Sequence, residues 1–166
     1  MWATTSGGSI EIDGATDKIQ AETAGGSVTV REAGADLDVQ TSGGSINLGR
    51  VRGAVRAHTA GGGIRIDEAG GRVDASTSGG SIRAALAGSP EEDCRFETSG
   101  GSIELSLPSG VSASVDAKTS AGTGSCGLPV AVQGKARRTS LEGQLGEGGK
   151  LLKLRTNAGN IRIRAR

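Results

Sequence analysis

Apolar and polar residues alternate in short runs along most of this chain. Ile10 and Ile12, Val28 and Val30, Ile46 and Leu48, and Ile64 and Ile66 each flank a single polar position. A second set has the same spacing and is followed two residues later by Thr: Ile19 and Ala21, Leu37 and Val39, Val55 and Ala57, Val73 and Ala75. A period of two sends successive side chains to opposite faces of an extended strand, so both sets predict short strands with one buried face. The residues between the first pairs (Glu11, Thr29, Asn47, Arg65, Arg83 and Glu104) are polar, as a solvent face requires.

The runs recur. TSGGSIEI at Thr5 returns as TAGGSVTV at Thr23, TSGGSINL at Thr41, TAGGGIRI at Thr59, TSGGSIRA at Thr77 and TSGGSIEL at Thr98. The first four spacings are 18 residues and the fifth is 21, lengthened by the insert around Ser89 and Pro90. A degenerate copy starts at Thr119 and a last one, TNAGNIRI, at Thr156. Each unit therefore predicts strand, turn, strand, turn. The Gly-Gly and Ala-Gly pairs are expected to supply the positive-φ conformations of tight turns.

A strand this short cannot bury a face alone. Stacking unit on unit pairs each strand in parallel with its neighbours, roughly 4.8 Å away. The expected fold is an all-β parallel β-solenoid of 18-residue coils with two short strands per coil, in one domain spanning 1–166. About eight coils would make a rod roughly 35–40 Å long. Regular coils are expected over 1–118. Over 119–166 the pattern loosens around Pro129, the VAVQG segment and the Gly-rich stretch 143–149, which predicts longer strands, a hairpin and irregular coils covering the end of the stack. A left-handed hexapeptide helix is excluded, because stepping six from Ile10 meets Thr16 and Glu22. A calcium-binding nonapeptide roll is equally unlike this chain, whose GGSIE and GGSIN phrases lack the second Gly and the Asp of that motif.

Composition supports a thin core. Among 166 residues there are 30 Gly, no Tyr, and one each of Phe (Phe96) and Trp (Trp2), so aliphatic side chains must fill the interior. The net charge of +1 hides an asymmetry: residues 135–166 carry nine Lys or Arg against two Glu, which leaves 1–134 at −6. No apolar run is long enough for a transmembrane helix. The first residues, MWATTSGGSI, do not read as a signal peptide.

The repeated TSGGSI phrases are followed by LPSGVSASVDAKTSAG from Leu107, GLPVAVQG from Gly127 and GEGGKLLKLRTNAGNIRIR from Gly146. In that order they resemble a bacterial adhesin-like family of β-strand-repeat domains of unknown function, along essentially the whole chain. The resemblance implies a β-helical fold and an extracytoplasmic protein of the cell surface or envelope. It offers no catalytic residues.

The residues themselves suggest little chemistry: no catalytic residue, cofactor site or metal site is expected. His58 is the sole histidine and falls on an outward position, so neither a Ser-His-Asp triad nor a His-based metal cluster can be assembled. Cys94 stands in the slot of Val55 and Val73, and Cys126 in the second I-x-I position of the degenerate coil; both read as small buried hydrophobes rather than a disulfide. GEGGKLL is no phosphate loop, since Leu151 stands where Ser or Thr would bind magnesium. The column Thr5, Thr23, Thr41, Thr59, Thr77, Thr98 suggests ice binding if exposed; parity turns it inward, toward turn backbone. Glu91, Glu92 and Asp93 fall in the Pro-containing insert and would be the carboxylates of a polysaccharide-acting β-helix. Arg162, Arg164 and Arg166 alternate with apolar residues, an ordinary strand face that could also attract an anionic surface. With no interleaved aromatics, nucleic acid is not an expected partner. The expectation is a non-catalytic interaction module with an unidentified surface ligand, and the charge asymmetry allows head-to-tail self-association.

Overall fold

The computed structural model describes residues 1–89, 91–108, 110–126, 130–131 and 139–165, with the backbone alone at Cys126, Val130 and Ala131. Every regular element among the described residues is a strand. Six windings follow one another in chain order. The first three are β1 (Trp2–Thr5) with β2 (Ile10–Ile12), β3 (Ile19–Thr23) with β4 (Val28–Ala33), and β5 (Leu37–Thr41) with β6 (Ile46–Val51). The next three are β7 (Val55–Thr59) with β8 (Ile64–Ala69), β9 (Val73–Thr77) with β10 (Ile82–Leu86), and β11 (Cys94–Thr98) with β12 (Ile103–Leu107). The odd strands pair in parallel in a ten-stranded sheet and the even strands in an eight-stranded sheet. This is the β-solenoid that the repeat predicts.

Register follows the repeat, so like packs on like. Ile46, Ile64, Ile82, Ile103 and Ile161 form one continuous ladder. Leu37, Val55 and Val73 form another. These side chains are essentially removed from water and make one core between the two sheets. The even strands also bury a third position that strict alternation does not mark: Ala33, Val51 and Ala69. Between Val30 and Ala33 the chain takes three steps rather than two, leaving Arg31 and Glu32 both exposed, and the neighbouring windings take the same detour.

The threonine column is buried, from Thr23 through Thr98, and each hydroxyl works twice. Thr59 Oγ1 donates to the Gly44 carbonyl of the preceding winding at 2.9 Å and accepts from Gly62 N–H at 3.4 Å. Thr23, Thr41, Thr77 and Thr98 repeat the arrangement. One side chain thus satisfies a turn in its own winding and locks it to the one before.

The glycines of these turns require a correction. Among the described residues, positive φ occurs only at Gly110, Gly146, Gly148 and Gly149, none of them in a T-x-G-G turn. The repeat glycines answer to crowding instead: a Cβ at Gly26, Gly44, Gly62 or Gly80 would lie 2.2 Å from a carbonyl oxygen of the preceding winding.

A second correction concerns the order of the last windings. After β12 come β13 (Ala113–Thr119), β14 (Gly124–Cys126), β15 (Val130–Ala131), β16 (Ser140–Leu145), β17 (Leu151–Thr156) and β18 (Ile161–Ala165). In space, β17 lies between β11 and β13, and β18 between β12 and β14. The last repeat in the sequence therefore sits inside the stack, not on its end. The turn bonds carry the same order: Thr156 donates to Gly101 and Thr119 donates to Gly159, both at 2.8 Å. The expected hairpin and cap are present as β16 and β15, the only antiparallel pairings among the described strands, with β16 laid along the outer edge of β13. Most of the 127–138 segment, including Pro129, lies outside the described residues, as do Pro90 and Arg166.

Candidate interaction faces

Since the inward faces fill the core, any site must be built from outward side chains and turns. On the eight-stranded sheet one outward row runs Glu11, Thr29, Asn47, Arg65, Arg83, Glu104, Arg162, Ser125. The first six are the positions that alternation assigned to water. Beyond Asn47 the row turns basic. Arg65 pairs with Asp67 at 3.0 Å, while Arg83 and Arg164 share Glu104, at 3.7 and 3.4 Å. Arg162 has no ion pair among the described residues. Four guanidinium groups thus stand with three outward carboxylates, Asp67, Glu68 and Glu104, on four neighbouring strands, and Glu68 pairs with Arg50 of the next strand at 3.7 Å. Ion pairs this exposed contribute little stability, about 0–1 kcal/mol each, so the row is free to exchange partners.

On the ten-stranded sheet the corresponding row mixes signs, alternating over Asp38, Arg56, Asp74 and Arg95 and then running Lys153, Asp116, Glu142. Where β16 and β17 join the sheet, a shallow cleft of about 440 Å³ opens between Arg95, Lys118, Lys153, Arg155, Ser140 and Asn157. Arg155 grips Asp116 with both nitrogens, at 2.7 and 3.1 Å, and Lys118 reaches Glu142 at 3.2 Å. The Arg155 guanidinium holds the Asp116 carboxyl below its ordinary value, with Lys118 and Lys153 adding to the effect.

The remaining candidates stay apart. His58 is exposed, with Gln40 and Ser76 beside it in register. Cys94 is a buried free thiol, pushed above its ordinary value by burial, in the slot expected for a small hydrophobe. The side chain of Cys126 lies outside the described residues. Glu91 and Glu92 are exposed on the insert. Asp93 has a structural task that the sequence did not signal: its Oδ1 accepts from Leu151 N–H at 2.9 Å, fastening the insert to the start of β17. Among the described residues no three of His, Cys, Asp and Glu come together where a metal ion could sit. Among the described residues no helix is long and apolar enough to cross a membrane. Chemically, the outer faces can form ion pairs and hydrogen bonds over an extended, regularly spaced array.

No curated protein and no solved structure matches the chain. The family model described as Toastrack DUF4097 matches residues 2–164, nearly the whole length over which the windings run. A stack of T-x-G-G windings with its last repeat inserted out of order and an antiparallel strand along its edge is thus the form of this sequence: the chain belongs to the Toastrack DUF4097 family.

Proposed function

We propose that this domain is a non-catalytic, adhesin-like interaction module of the bacterial cell surface or envelope, and that it holds anionic surface polymers along its eight-stranded face. One observation carries the reading: Arg65, Arg83, Arg162 and Arg164 stand on neighbouring strands, and among the described residues their ion-pair partners are Asp67 and Glu104. Guanidinium groups pair with carboxylate or phosphate through two parallel hydrogen bonds, and a ladder repeats that offer at strand spacing. Glu104, held between Arg83 and Arg164, displays in miniature how an incoming carboxylate would be gripped. Rigidity comes from the core beneath, so little ordering cost falls on binding.

Retention on polygalacturonate beads against neutral agarose, at about 20 mM and about 500 mM salt, tests this, since screening at high salt removes exposed charge attraction. The wild type is expected to be retained only on the anionic beads and only at low salt. The triple variant Arg83→Gln, Arg162→Gln, Arg164→Gln is expected to bind at least about tenfold more weakly, a loss of about 1.4 kcal/mol. Equal retention on both beads, or an unaffected variant, would sink the reading. The polysaccharide-cleaving alternative needs carboxylates facing each other across a groove, whereas Asp93 is occupied by the Leu151 amide. The ice-binding alternative needs an exposed threonine face, and Thr23 to Thr98 are buried. Head-to-tail association through strand pairing would find the outer edge of β13 covered by β16, while association through the charge asymmetry is checked by sedimentation at low and high salt.

A further inference from the structure

Along the ten-stranded sheet the regular windings set opposite charges side by side: Asp38 beside Arg56, Arg56 beside Asp74, and Asp74 beside Arg95. The inserted strand β17 ends that order. Its Lys153 lies directly opposite Arg95 of β11, and its Arg155 directly opposite Lys118 of β13. Like charges placed so on adjacent strands repel and cost stability. Carboxylates relieve three of the four cations: Glu97 pairs with Arg95 at 2.8 Å, Asp116 with Arg155 at 2.7 Å and Glu142 with Lys118 at 3.2 Å. Asp116 and Glu142 also stand opposite one another, but Lys118 reaches both, at 3.9 and 3.2 Å. Among the described residues Lys153 makes no ion pair. Every Asp and Glu of the chain is one of those residues, so no other acidic side chain is left to supply one.

All four cations line the cleft of about 440 Å³ where β16 and β17 join the sheet, and Glu97 is the one carboxylate among the described residues of its wall. Ser120, Ser140 and Asn157 add hydroxyl and amide groups there. We propose that this cleft is a binding site for a small sugar carrying one oxoanion, a carboxylate or a phosphate. Its charge is held by Lys153 and Arg95, and its hydroxyls turn toward Ser120, Ser140 and Asn157. An anion in that place cancels the repulsion between Lys153 and Arg95 that the empty fold tolerates. A lysine ammonium serves as a point charge for either kind of oxoanion. The described lining offers no large apolar side chain, so a hydrophobic body would gain little by burial, whereas a hydroxylated one finds partners for its polar groups. The site lies on the opposite sheet from the guanidinium row and stands without it.

Calorimetric titration of the intact protein at about 20 mM salt, where exposed charges are little screened, tests the site. Galacturonate and glucose 6-phosphate are the charged probes, while galactose and inorganic phosphate each lack one half of the ligand. At least one charged sugar is expected to bind saturably, one per chain, and at least about tenfold more tightly than galactose or phosphate. Which of the two binds separates carboxylate from phosphate. Lys153→Gln is expected to weaken that binding at least about tenfold and to unfold at no lower a urea concentration than the wild type, because the charge it removes is a repelled one. The triple variant Arg83→Gln, Arg162→Gln, Arg164→Gln is expected to bind the sugar as the wild type does, which keeps the two faces separable. No saturable binding of either charged sugar, equally tight binding of galactose or phosphate, undiminished binding to Lys153→Gln, or loss of binding in the triple variant would each overturn the proposal.

Discussion

A methyl group added at Gly62 would lie 2.2 Å from the Gly44 carbonyl oxygen, with backbone on all sides of the contact, so neither partner can turn aside. Gly62→Ala is therefore expected to destabilise the fold by about 1–3 kcal/mol or more, as overpacking does where nothing flexible can yield. Gly14→Ala meets nothing within 4 Å and should stay within about 0.5 kcal/mol of the wild type. Urea unfolding of the two variants checks both expectations, and equal loss would mean that crowding is not what keeps glycine at position 62. At this scale the sequence was half legible. Parity turned the threonine column inward, and the hydroxyls do bond the turns. The role of the glycines was hidden because a Gly-Gly pair reads alike whether the turn needs positive φ or a missing side chain; only the distance to the next winding tells them apart.

Strands β13 and β17 are tied on their outer face by Arg155 and Asp116, whose two hydrogen bonds cross from one strand to the other. The Asp116 carboxyl sits lower when folded than when unfolded, chiefly because Arg155 bonds its charged form. The stability it contributes is thus complete above the unfolded carboxylate value and disappears as pH falls through the folded one. Asp116→Asn is expected to lose stability at neutral pH and to show a shallower further loss below pH about 4 than the wild type does. Parallel slopes in acid would show that other carboxylates govern the transition. Strand positions were readable wherever two apolar residues flank one polar residue. The third buried position, at Ala33, Val51 and Ala69, was not, because an extra residue beyond the pair breaks the period of two on which the reading rests.

In a stack where each winding touches only its neighbours, place in space decides protection from solvent, and place in the sequence need not agree. Residues 151–165 come last in the described chain, yet β17 is flanked by β11 and β13 and its Leu152 and Leu154 are fully buried. Their amides are expected to exchange hydrogen as slowly as those of Ile64 to Ile66 in the regular stack. Exchange within minutes over residues 152–156 would contradict the interior placement. The repeat made the solenoid evident but left this order open, for T-N-A-G at Thr156 fits against either Thr98 or Thr119, and all three turns share one shape. The interleaving bears on how the protein is made. While a ribosome is still adding residues up to Leu145, the six regular windings can zip together as they emerge, but β13 cannot yet meet β17. Assembly of this part of the rod waits for residues 151–165, so this late segment acts as a keystone, and a nascent chain stalled before it would carry an unfilled gap.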